Sequence, residues 1–295
     1  MFKRFILASL CCLSLVLPAL FWLNRMAVRP EPDPVATLTQ YLKHLYARDF
    51  RQAYRFLSSE DRRLKSSNQY VRERGEFTGF ALVAARKLAG QIDIRLLSSQ
   101  LKSTRRHLTV AMKLPDAAGI ADLLLDWDEE KLNTLSVTER KHLLTAIDRL
   151  IGAGKLPMIE GEEKFILVQE GPEWKVYVDW AAGAQVQFAA ALPAGAGIAA
   201  EPLTRQTMAR SGDVFTVGFK VRNPTNREIV TRIVHRVVPK ELAPYLELVE
   251  CALLLPVRLR PGEAQTYRST YLVRGDLPDG SRTVNVTYEF AVENR

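Results

Sequence analysis

Apolar positions at Val35, Leu38, Leu42, Leu45 and Tyr46 recur three and four apart, the spacing that gives a helix one buried face. Asp33-Pro34 before them reads as an N-cap followed by the first helical residue. Asp49 can cap a second helix carrying Phe50, Ala53, Tyr54, Phe56 and Leu57. From Phe80 the pattern is read as strands, with period-two alternation at residues 92–96 and 108–112. Residues 116–155 return to helix. There Ser136 and Glu139 form a capping-box signature, Leu143, Leu144, Ile147, Leu150 and Ile151 make one apolar face, and Gly152 suits the stop. Strands at 164–169 and 174–180 follow, joined by a turn at 170–173.

Residues 181–203 are rich in Ala and Gly and read as a linker, although Gln185-Val186-Gln187-Phe188 has a strand's alternation. Beyond them every segment reads as β. Strands fall at 214–221, 229–238, 257–259, 267–273 and 284–292, with turns at Asn223-Pro224-Thr225-Asn226 and Arg260-Pro261-Gly262-Glu263. Short strands at that spacing predict an immunoglobulin-like sandwich. The expected division is an anchor at 1–29, an α+β domain at 30–182 and a sandwich domain at 183–295.

The anchor rests on residues 5–23, an uncharged run behind Lys3 and Arg4. At 1.5 Å per residue it can cross a hydrocarbon core of about 30 Å. It ends in Phe21-Trp22-Leu23-Asn24-Arg25 with no small-residue cleavage site, so the expectation is one uncleaved transmembrane helix with Trp22 at the interface. Lys3 and Arg4 face Arg25 and Arg29 across the span, so charge alone does not orient it.

Composition is that of an ordinary globular chain, with 47% hydrophobic and 25% charged residues and a net charge of +8. The charge is uneven. Residues 48–113 hold 15 Lys and Arg against 6 Asp and Glu, and residues 116–179 hold 7 against 14. Such faces could steer an acidic partner or lie near anionic lipid, or simply be solvated surface. No Arg-rich helix or basic run interleaved with aromatics points to nucleic acid. Cys11 and Cys12 lie in the apolar run, and Cys251 is the one cysteine of the body. It is open to burial, to pairing between chains or to metal ligation.

The order of helices and then a sheet ending in Trp174-Lys175-Val176-Tyr177 resembles the nuclear transport factor 2-like fold over residues 33–180, with 116–155 as an insertion. That resemblance implies an α+β cone whose early helices cover the concave face of the sheet. An enzyme on this fold would need acid/base groups converging in the cone. His107 and Asp93 are the candidates, and both fit a strand's solvent face equally well. The expectation is a protein without catalytic residues.

Residues 184–292 resemble the periplasmic domain of the CtaG family, the copper-delivering assembly factors of cytochrome c oxidase. The matching residues are Val186 and Phe188, Gly212, the Val221-Arg222-Asn223-Pro224-Thr225-Asn226 turn and Val238-Pro239. Pro244-Tyr245, Val249-Glu250-Cys251, Leu259-Arg260-Pro261-Gly262-Glu263 and the closing segment 284–290 complete the set. The resemblance implies a single-pass protein of the inner membrane with its domains on the periplasmic side, and a partner among oxidase subunits or another membrane complex. It also implies a copper site at a Cys-Phe-Cys-Phe run. Here the aligned run is Cys251-Ala252-Leu253-Leu254, so Cys251 is the one metal ligand that remains. The expectation is an accessory or assembly factor with a degenerate copper site. The alternatives are copper held between two copies of Cys251 in a homodimer, with His235 or Met208 assisting, and a small ligand bound in the N-terminal cone. Cys251 as a small core residue stays open beside these.

Overall fold

The computed structural model describes residues 33–275, 277–278 and 283–294. The expected anchor at 5–23 lies outside the described residues. Among the described residues no helix is long and apolar enough to cross a membrane.

The chain opens with α1 (Pro34–Tyr46), and Asp33 Oδ1 accepts the Val35 N–H at 2.8 Å. Its Leu38, Tyr41 and Leu42 are buried. Three short helices follow: α2 (Phe50–Ala53), α3 (Ser59–Leu64) and α4 (Ser67–Arg74), with Ser58 and Ser66 capping the last two. The expected second helix is one α-helical turn that tightens into a 3-10 turn at Tyr54–Phe56. Asp49 does not cap it with its side chain. The carboxylate instead takes the Arg86 guanidinium at 2.6 Å and faces His44 Nδ1 at 3.2 Å.

The segment read as strands from Phe80 is a helix, α5 (Gly79–Ala89). Phe80, Ala81, Ala84, Ala85, Leu88 and Ala89 are its buried residues, a spacing of one helical face in a run of good helix formers. Strands begin afterwards with β1 (Asp93–Lys102) and β2 (Arg105–Pro115). The insertion folds as a 3-10 segment (Asp122–Trp127), α6 (Glu129–Thr134) and α7 (Val137–Gly152). The capping box forms: Ser136 Oγ accepts the Glu139 N–H, and Glu139 Oε2 accepts the Ser136 N–H at 2.7 Å. Leu143 and Ile147 of α7 pack with Leu124, Leu132, Phe80 and Leu88, so the insertion shares a core with α5.

Two strands, β3 (Met158–Glu170) and β4 (Glu173–Tyr177), complete an antiparallel sheet of order β1-β2-β3-β4. Leu38, Phe50 and Tyr70 from the helices, with Leu57 after the 3-10 turn, pack on Leu108, Val110, Leu167, Trp174 and Val176 of this sheet. The arrangement is α+β, with helices on one sheet face.

Part of the uneven charge is paired internally. Lys87, Lys113 and Arg62 of the basic stretch meet Asp148, Glu160 and Glu170 of the acidic one at 2.5, 2.9 and 3.8 Å. Sheet pairing and helix packing bring the two segments together, so the asymmetry along the sequence is not an equal asymmetry in space.

The stretch 181–203 is not a free connector. It contains β5 (Ala184–Ala191) and β6 (Ala199–Pro202), which with β7 (Gln206–Ala209) begin the second body. Gly183 is required by close approach: a side chain there would run into the Ala209 carbonyl. The remaining strands are β8 (Val214–Arg222), β9 (Ile229–Val238), β10 (Leu246–Cys251), β11 (Val257–Leu259), β12 (Ala264–Val273) and β13 (Thr283–Asn294). They form two sheets, ordered β10-β12-β8-β6 and β11-β9-β13-β5-β7. Every pairing in them is antiparallel except β13 with β5, which is parallel. Phe188, Phe215, Phe219, Leu253, Tyr271 and Tyr288 are among the side chains buried between the sheets.

The two bodies meet through Met208 of β7, packed against the first core, and through polar contacts. Gln69 Nε2 donates to the Gln206 carbonyl at 2.9 Å, Arg72 Nε to Thr204 Oγ1 at 3.2 Å, and Arg210 to the Val178 carbonyl. Asp61, 1% exposed, accepts the N–H groups of Val178 at 2.8 Å and Trp180 at 3.1 Å, fixing the chain where it leaves the first sheet. Beneath it the Lys65 ammonium lies 4.6 Å from the Trp180 ring and 2.8 Å from Glu73 Oε2.

Candidate functional site around Cys251

Cys251 is the last residue of β10, an edge strand of the four-stranded sheet, opposite Ser269 of β12. It is a free, half-buried cysteine whose sulfur lies 3.1 Å from Ser269 Oγ. Alternation along β12 then puts Tyr271 on the face of Ser269, and both are fully buried. The Tyr271 hydroxyl meets that of Tyr288, from the opposite sheet, at 2.5 Å. Burial holds both phenols well above the ordinary tyrosine value, so they stay protonated. Thiol, serine hydroxyl and two phenols thus form one polar seam inside the sandwich.

His235 belongs to the edge of this seam. It pairs with Tyr288 across the β9–β13 ladder, and its ring centroid lies 5.6 Å from those of both Tyr271 and Tyr288. Burial lowers the imidazole below its ordinary value of 6.5, which favours the neutral ring. Its Nε2 is buried and has no hydrogen-bond partner among the described residues. Met208 does not join the group. It sits on β7 and packs against the core of the first body.

After Cys251 the chain leaves the extended conformation for a 3-10 turn at Ala252–Leu254. Residues two apart point the same way only in an extended run. Here the turn sends Leu253 into the core, where it is fully buried, while the sulfur stays half-buried beside Ser269. The position where a second thiolate would be needed is therefore occupied by a packed leucine. Among the described residues no group of three or more His, Cys, Asp or Glu could hold a metal ion. The donor set around Cys251 is one thiol and neutral hydroxyls, which does not match the pair of soft ligands that Cu(I) favours.

Exposed apolar side chains flank Cys251 along the chain. Val249, Leu254 and Leu255 are 57%, 50% and 72% exposed within a stretch of seven residues. The turns of the sandwich have a structural role. Asn223 is fully buried, and its Nδ2 lies 2.7 to 3.1 Å from the carbonyls of Arg227, Leu259 and Arg260, while Oδ1 accepts the Thr225 N–H. One side chain ties the β8–β9 turn to the β11–β12 turn.

The acid/base candidates of the first body do not converge. Asp93 pairs with Lys113 at one end of the β1–β2 ladder, and His107 pairs with Gln100 nearer the other. Six residues of β2 separate the two positions, about 20 Å along a strand. Asp93 borders a polar trough of ≈ 430 Å³ with Arg95, Lys113, Glu160 and Glu162, and His107 does not line it.

The fold and seam together define a two-sheet β-sandwich carrying a half-buried thiol, attached to an α+β body. The family model for cytochrome c oxidase assembly protein CtaG/Cox11 matches residues 162–291, from within β3 through β4 and β5 to β12 and into β13. Over these residues the C-terminal part of the chain is similar to this family. No curated protein matches the chain. Among solved structures, α-2-macroglobulin of E. coli is 12% identical, with a TM-score of 0.21, over 68% of this chain and 16% of its own. Salmonella α-2-macroglobulin is 13% identical, with the same TM-score and coverage. The chain spans about one sixth of the length of these structures, a likeness too slight to carry an argument.

Proposed function

We propose that the chain is a non-catalytic assembly or accessory factor for cytochrome c oxidase or a related respiratory complex. In this reading it is anchored in the inner membrane by residues 5–23, with its body on the periplasmic side. The family match over residues 162–291 carries the reading. The exposed apolar side chains of Val249, Leu254 and Leu255 are suited to a membrane-protein partner. The buried Leu253 supports a factor that acts by binding rather than by handing over copper from a pair of thiolates. The alternative of copper shared between two copies of Cys251, and that of a small ligand in the first body, have no specific observation in their favour.

The test is deletion of the gene, followed by the haem difference spectrum and subunit content of the membrane. Deletion should lower assembled oxidase. Wild type and Cys251→Ser should restore it, and Leu255→Asp should not. An oxidase unaffected by deletion refutes the reading. Failure of Cys251→Ser to restore would move the function to the thiol.

A further inference from the structure

β1 is the outer strand of the first sheet, and no described strand pairs with its free edge. Nine of its ten residues are exposed, including Leu96, Leu97 and Leu101, the last at 61%. A long exposed edge carrying leucines is a template for another strand. The sequence of the edge indicates which one.

Opposite β2, the strand carries a bulge: Leu96 pairs with Val110 and Ser98 with Thr109, so Leu97 is the extra residue. The bulge resets the alternation. Asp93, Arg95, Ser98, Gln100 and Lys102 share one face, and Ile94, Leu96, Ser99 and Leu101 share the other, the face of the buried Val110 and Leu108. With Leu97 set aside, the strand has nine positions centred on Ser98.

We propose that a second copy of this chain pairs antiparallel with β1, about a two-fold axis through Ser98, to make one continuous eight-stranded sheet. A two-fold axis perpendicular to an antiparallel pair must pass between a residue and its own copy, and the bulge is what places Ser98 there. In this register Asp93 faces Lys102 of the second copy and Ile94 faces Leu101 of the second copy. Arg95 faces Gln100, and Leu96 faces Ser99. Opposite charges then meet on the outer face at both ends, and apolar side chains meet on the inner face. Shifting the register by two residues puts Asp93 opposite Gln100 and leaves Lys102 without an acidic partner. Shifting the other way sets Lys102 against Arg95, so charge selects this alignment. This inference is independent of the reading of the sandwich.

Ser98 and its copy would have Cα atoms about 4.5–5.5 Å apart, within disulfide range. Gln100 would lie about 14 Å from its own copy. The full chain in detergent, with Cys11, Cys12 and Cys251 replaced by serine, should therefore cross-link through Ser98→Cys under mild oxidation and not through Gln100→Cys. Asp93→Lys or Lys102→Asp alone should weaken the dimer about two- to thirtyfold by sedimentation equilibrium, and the double exchange should recover it. All these positions are exposed, and unchanged melting confirms that the variants fold. A monomer at every concentration, equal cross-linking at both positions, cross-linking of Ser98→Cys to a different protein, or a double exchange that fails to recover the dimer would each overturn the proposal.

Discussion

Asp61→Ala tests whether a buried carboxylate fixes the exit from the first body. Asp61 is 1% exposed and accepts from Ser58 Oγ at 2.6 Å, Val178 N at 2.8 Å and Trp180 N at 3.1 Å. Truncation leaves two backbone donors without their acceptor in a water-poor joint. Each such orphan costs about 1–3 kcal/mol, and the Ser58 bond is lost as well. Because Val178 is half-buried and can recover some water, we expect a total loss of about 3–5 kcal/mol. Against a usual stability of about 5–15 kcal/mol this is a large fraction. Urea unfolding followed by tryptophan fluorescence reads it directly, since the fully buried Trp180 lies in the joint. Asp61→Asn keeps one acceptor oxygen and should lose about half as much. Glu201→Ala, at an exposed position, should stay within about 0.5 kcal/mol. A loss below about 1 kcal/mol for Asp61→Ala would refute the reasoning, because it would mean that water or another group satisfies those donors.

Copper and pH give two further predictions. The monomeric chain, reduced and size-separated, should not retain Cu(I) against a strong chelator, because a single thiolate lacks the gain from chelation. Copper that does persist should appear in the dimer fraction at one ion or less per chain and disappear with Cys251→Ser. Stoichiometric copper on the monomer, indifferent to that substitution, would place the site elsewhere. His235 is held neutral by burial, so the unfolded chain takes up a proton there before the folded one does. Its contribution is full above pH 6.5 and is lost as pH falls from there through the depressed folded value. His235→Gln should reduce the slope of the urea midpoint against pH below 6.5, and an unchanged slope would contradict this.

Where a local signal and tertiary packing agreed, the sequence was readable. Asp33-Pro34 and Ser136 with Glu139 announced helix starts because capping is a local hydrogen-bond problem. The sandwich strands were readable because alternation such as Phe215, Val217, Phe219 and Val221 has one buried side. Residues 80–89 read as strand because a nearly continuous apolar run hides its period, although Ala at positions 81, 84, 85 and 89 is a helical spacing. Residues 181–203 were misread because Ala and Gly look like a connector while Ala184 and Gly183 are small to allow close packing. Cys251 and Leu253 could be singled out from the sequence. Their companions Ser269, Tyr271 and Tyr288 could not, since pairing across strands and sheets brings them together. A polar residue on an inward-facing strand position, as at Ser269, was the available signal. The buried Asp61, Lys65 and Glu73 gave none, because their segments read as ordinary surface helix.

The parallel pairing of β13 with β5 has a consequence for how the protein is made. Val186 meets Val284, so the sandwich's first strand finds its partner about a hundred residues later. A chain emerging amino end first exposes the β5 edge, with Val186 and Phe188, until the last strand has been delivered. Closure of the second body is therefore a late event of synthesis, dominated by long loop closure. That interval is the one in which the open β5 edge can pair wrongly with other strands. It is also when the nascent chain is most open to chaperones and proteases.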